Sequence, residues 1–145
     1  MAEKRIARGV RNRNPLNIVK NPSIHWLGEI RPSTDANFCQ FETLEYGLRA
    51  ALKLLRTYYR KYQCRTLRQI IHRWCPDHTA ESYVANVCRM TGLTADQQLP
   101  PMKEETKVVW CDIVLAMAAV ECGLTTQQRE ELAVYVERAF ELIRN

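Results

Sequence analysis

From Thr43 onward, apolar residues recur every three or four positions. Leu48, Ala51, Leu52, Leu55, Tyr58, Tyr59 and Tyr62 share one face of a helix predicted from Thr43, its N-cap, to about residue 62. A second helix starts at Thr66, where Gln69 three residues on completes a capping box. It presents Leu67, Ile70, Ile71 and Trp74 and stops before Pro76. A third runs from about Thr79 to Met90, and Gly92 suits its C-terminal cap. Thr94 and Gln97 predict one further capped turn before Pro100 and Pro101. The longest helix is expected from about Glu104 to Cys122, striped by Val109, Ile113, Met117 and Val120 and ended by Gly123. Thr125 or Thr126 caps a last helix with Leu132, Val136, Phe140 and Ile143 on its apolar side.

Before Thr43 the pattern changes. Residues 23–41 read as a β-hairpin or a small sheet, with Ile24, Trp26, Phe38 and Phe41 as strand formers around the loop Arg31 to Asn37. Gly28 suits a bulge or a close approach to a ligand. The first ten residues are expected to be flexible. The fold class is therefore α+β, mostly α, in one domain spanning residues 1–145.

At 145 residues the chain can bury a core without covalent staples. Met1 to Arg13 has no apolar segment of a secretory signal, and no apolar run approaches the ~20 residues of a membrane span. Six cysteines occur without a CxxC pair, so they are expected to be reduced and no zinc ribbon is expected. His25, His72 and His78 lack ligand spacing, and no cofactor motif is present, so neither a metal nor a cofactor is expected. Net charge is +5. Much of it lies in the run Arg49, Lys53, Arg56, Arg60, Lys61, Arg65, Arg68 and Arg73, where Arg49, Lys53, Arg56 and Arg60 fall on one helical stripe. Such a stripe is either a solvated face or a surface for polyanions, which include nucleic acid and anionic wall polymers.

Ordered segments of the chain resemble a family of phage and prophage proteins described as virion structural or lysozyme-like proteins. Gly9-Val10-Arg11-Asn12-Arg13-Asn14-Pro15-Leu16-Asn17-Ile18 is similar to that family's "GIRNNNPLNI" opening. Trp26-Leu27-Gly28 matches its W-x-G element, followed by Phe38-Cys39-Gln40-Phe41 and Tyr46-Gly47-Leu48-Arg49-Ala50. Tyr58 through Lys61 resembles "NYxRK", Arg73-Trp74-Cys75-Pro76 resembles "RWAP", with Thr79 and Tyr83 after it, and Ala116 to Gly123 resembles "AMIRHENG". Asp77-His78-Thr79 departs from the family's longer "RWAPPxENDT" and lacks its Glu and Asn. The same pieces look like cell-wall glucosaminidases, where an N-N-x-F-x-I-K segment directly follows a helix ending in a catalytic Glu. Here the comparable helix, ending at Glu121, lies at the other end of the chain, as a circular permutation would have it.

The resemblance implies a lysozyme-like helical domain that cleaves the glycan strand of peptidoglycan as a glycosidase or lytic transglycosylase. That chemistry needs a proton donor at the leaving oxygen, in an apolar setting. Glu121, at the end of an apolar helix, is the first candidate and Glu29 the rival. Asp35 is the candidate second carboxylate, and with none the sugar's own hydroxyl attacks. Candidate substrate-binding residues are Asn14, Asn17, Trp26, Phe38, Tyr46 and Arg49, with Arg49 also a possible partner for Glu121. Peptidoglycan is the expected partner, the chain is expected to be a monomer without membrane insertion, and it is placed in the cytoplasm or virion until release. The alternatives are a non-catalytic virion structural protein and a small basic nucleic-acid-binding module.

Overall fold

The apolar repeat is realised as five long helices in a computed structural model that describes residues 6–143. They are α2 (Leu44–Lys61), α3 (Leu67–Trp74), α4 (Ala80–Thr91), α5 (Lys107–Cys122) and α6 (Thr126–Leu142), preceded by the short α1 (Arg8–Arg11). Helix α5 is apolar nearly all round and lies at the centre, as a helix without a polar face must. Trp110, Ile113, Val114, Met117 and Ala118 are fully buried, and α2, α4 and α6 pack around them. Each such large side chain contributes about 1.5–3 kcal/mol when removed from water. Trp110 meets Tyr59 of α2 edge to face at 5.8 Å and donates its indole N–H to the Pro100 carbonyl at 3.2 Å.

The helix ends follow the cap residues. Thr43, Thr66 and Thr125 each accept the amide three residues on, and Thr125 with Gln128 closes a full capping box. Gln69 does not complete the box expected at Thr66; its side chain takes the Arg65 amide at 2.7 Å, one residue further out. Gly92 and Gly123 end α4 and α5 in left-handed conformation, with φ of 77° and 63°. Thr94 and Gln97 make the capping contacts, yet residues 94–97 form a turn and not a helix. Helix α2 with 18 residues exceeds α5 with 16, because Glu104–Thr106 is a separate 3₁₀ turn.

The N-terminal third departs most from expectation. Its sheet has only two-residue strands, β1 (Glu29–Ile30) and β2 (Gln40–Phe41), paired antiparallel with Glu29 opposite Phe41. Val19 adds a single bridge to Phe38, and Ile24 and Trp26 lie in irregular chain instead of strands. Of the ten residues expected to be flexible, residues 1–5 lie outside the described residues, while Arg8–Arg11 form α1 against α5. Gly28, at φ 76°, has no room for a side chain: a Cβ there would stand 2.2 Å from the Tyr46 ring. The close approach expected at this glycine is thus to α2. None of the six cysteines is bonded to another; Cys39, Cys64 and Cys111 are buried, and burial pushes the Cys39 and Cys111 thiols up to about 12.

Candidate functional site

Glu121 lies on the last turn of α5, where Gly123 stops the helix. Three uncharged groups hold its carboxylate. Asn17 donates its amide to Oε1 at 3.1 Å, and the Trp74 indole and Tyr83 hydroxyl donate to Oε2 at 3.3 and 3.0 Å. These donors come from the N-terminal turn, the end of α3 and the middle of α4, so four distant segments meet at one carboxylate. No cation pairs with it among the described residues. Tyr83 is buried, and burial together with the neighbouring carboxylate holds its hydroxyl protonated far above the usual phenol range.

The turn that brings Asn17 here is built for it. Asn17 takes a left-handed φ of 54°, and its Oδ1 is buried without a hydrogen-bond partner. Gly9 of α1 packs directly above, where a Cβ would stand 2.8 Å from that oxygen and 2.7 Å from the Cys122 sulfur. Asn17 and Trp74 also line a cavity of about 210 Å³ whose other walls are Ile18, Ile24, Trp26, Leu54 and Tyr58, with Val19 and Asn21 at its margin. Trp74 and Tyr58 meet edge to face at 6.1 Å, and Arg73 lies over Tyr58 and, at 3.4 Å, over Tyr62. The result is an apolar, aromatic-walled hollow with a carboxylate behind two of its wall residues. A larger cavity of about 580 Å³ between α4, α5 and α6 has neither an aromatic ring nor a carboxylate among its lining residues.

Of the candidate residues, Glu121, Asn17 and Trp26 come together at this place. Asn17 faces the carboxylate with its amide, so it positions Glu121. Asn14 is fully buried and spends its whole amide on the backbone of Ile18 and Cys39, which leaves nothing for a ligand. Glu29 is buried, accepts the Trp26 amide and pairs with Arg31, and it borders a different hollow. Asp35 is held by the Arg8 guanidinium, the Asn12 amide and the backbone amides of Asn37 and Phe38. That set keeps it ionised far below the usual carboxylate range. Phe38 covers Arg8, Tyr46 supports Gly28, and neither lines the cavity. Arg49 forms no ion pair with Glu121; it is half-buried on α2, with its Nε buried and without a hydrogen-bond partner.

Trp74, Tyr83 and Tyr58 complete the site; the spacing of apolar residues places Tyr58 and Trp74 on buried helix faces and does not single out Tyr83. Only the ordered resemblance, which includes Trp74 and Tyr83, singled out their segments. The short loop after Trp74 is closed by Asp77, whose carboxylate takes the amide and hydroxyl of Thr79.

A small, mostly helical α+β domain with a neutral-donor carboxylate beside an aromatic hollow is the class that this fold and site define. The chain is 34% identical over 138 residues to Protein P5 of Pseudoalteromonas phage PM2, an alignment covering 92% of this chain and 82% of that protein. It belongs to the family of that bacteriophage protein. No family model matches the chain.

Proposed function

We propose that the chain is a virion-associated phage protein that cleaves the glycan strand of peptidoglycan, with Glu121 as proton donor. The observation that supports this most is the Glu121 carboxylate, held by Asn17, Trp74 and Tyr83 without a cation, beside a hollow walled by Trp26, Tyr58 and Trp74. Aromatic walls stack on the apolar faces of sugar rings, and a carboxylate free of cationic partners can serve as a general acid. The Asn14 to Ile18 segment lies against Glu121, which is the arrangement that a permuted glucosaminidase-like site requires. Glu29 and Asp35 are both committed to arginines, so the reading favours a single-carboxylate route. In it, Glu121 protonates the leaving oxygen, the bond to the anomeric carbon breaks, and a hydroxyl of the same sugar closes on that carbon as its proton passes to the Glu121 carboxylate. This is the lytic transglycosylase outcome, which leaves an anhydro end.

A second reading has its own observation. Three donors engage both Glu121 oxygens and join α5 to the N-terminal turn, α3 and α4. In a non-catalytic structural protein the same residue would simply fasten four segments. Clearing of a purified peptidoglycan suspension by wild type and by Glu121→Gln at pH 5 to 8 separates the two. The catalytic reading expects clearing that Glu121→Gln abolishes while the variant stays folded. The structural reading expects no clearing by either protein and a lowered Tm in the variant.

A further inference from the structure

One side of α2 carries four cations in a row: Arg49, Lys53 and Arg56, half-buried, and Arg60, exposed. Eleven residues of helix place them along about 16 Å, one every 5–6 Å. Arg49, Lys53 and Arg60 form no ion pair among the described residues, and the Nε of Arg49 is buried without a hydrogen-bond partner. Arg56 has one anchor, the Ile143 carbonyl at 3.1 Å, at the end of α6. The row ends in a cleft of about 190 Å³ between Arg56, Arg60 and Lys103, with Glu104 at its side. Burial and their cationic neighbours lower the pKa of both Lys53 and Arg56. Like charges four residues apart on a helix destabilise it by a few tenths of a kcal/mol each. Elsewhere in the basic run the cations are neutralised or covered: Arg68 pairs with Glu81 and Asp96, Arg65 lies over Tyr59, Lys61 over Tyr62 and Arg73 over Tyr62. The α2 row is therefore a locally costly arrangement that an anionic ligand would relieve.

The shape selects the ligand. A flat anionic membrane is best met by cations spread over a broad face, whereas the neighbouring Arg65, Arg68 and Arg73 are engaged within the protein. The cations left without an ion pair form a single line, which a phosphate backbone can follow. We propose that the Arg49–Arg60 row binds the phosphate backbone of nucleic acid, a surface separate from the Glu121 site.

Anisotropy of a labelled 20-base-pair DNA duplex, titrated with the full chain at several salt concentrations, tests this. About four phosphate contacts predict a slope of log K against log salt of about −3.6, hence roughly 150-fold weaker binding at 200 than at 50 mM. Lys53→Glu with Arg60→Glu should weaken binding at least about tenfold and flatten the slope by about 2. The pair Lys53→Gln and Arg60→Gln, gentler on folding, should flatten it equally. Arg89→Glu with Arg129→Glu removes as much charge from the cavity between α4, α5 and α6, outside the row, and should change binding far less. Equal losses from both reversals, or a row variant that binds like wild type, would overturn the proposal. So would binding of vesicles of anionic phospholipid through this row with no binding of the duplex.

Discussion

Asp35 and Glu121 are two sheltered carboxylates in opposite company. Asp35 accepts from a guanidinium, a side-chain amide and two backbone amides, all within 2.9 Å. Glu121 accepts only from uncharged donors, at 3.0 to 3.3 Å, and has a hollow beside it. A charged partner fixes the ionised form and ties a loop down. Neutral donors orient a carboxylate without committing a cation to it. The difference makes Asp35 a fastener and leaves Glu121 without a cationic partner, as its proposed role needs, and residue type alone cannot make that distinction.

The comparison breaks most sharply at Glu121 itself. Glu121→Gln should lower any glycan cleavage by about 10²–10⁴-fold, the range of a lost general acid. It should shift stability by no more than about 1.5 kcal/mol, as one hydrogen bond is lost, in denaturant titration. Asn14→Ala should do the reverse. It leaves the Ile18 amide and the Cys39 carbonyl without their partner, while the Ile18 carbonyl keeps the Cys39 amide, at a stability cost of about 3 kcal/mol, and has no direct effect on the Glu121 carboxylate. Trp74→Phe keeps a ring in the cavity wall but removes the indole N–H. Cleavage should fall about tenfold and stability by about 1 kcal/mol. Asp35→Asn changes the shape of the pH profile. The folded pKa of Asp35 is lowered, so its contribution is present above the unfolded value near pH 4 and is lost as pH falls further. The variant should be less stable at neutral pH and should lose less on going from pH 5 to pH 2 than wild type does.

The helical part was legible because its signals are local. Thr43, Thr66 and Thr125 cap where the sequence places caps, and Gly92 and Gly123 stop helices that an L side chain would strain to end. The N-terminal third was less legible because it is held by contacts remote in sequence. Arg8 reaches Asp35, Asn12 reaches Asp35 and Gln40, and Trp26 looks like a strand residue yet walls a cavity. Asn14 and Asn17 read alike in sequence; the left-handed turn at Asn17 sends one amide to Glu121 while the other stays in the backbone. Tyr83 and Trp74 were hidden by their apolar bulk, since nothing in helical spacing distinguishes a core ring from one whose polar atom holds a carboxylate.

Mass spectrometry of the soluble products from purified peptidoglycan, digested in parallel by wild type and Glu121→Gln at equal folded concentration, tests the role of Glu121 most directly. The account predicts anhydro-ended muropeptides from wild type and none from the variant. Products of the same kind and amount from both proteins would contradict it, as would a folded wild type that releases nothing across pH 5 to 8.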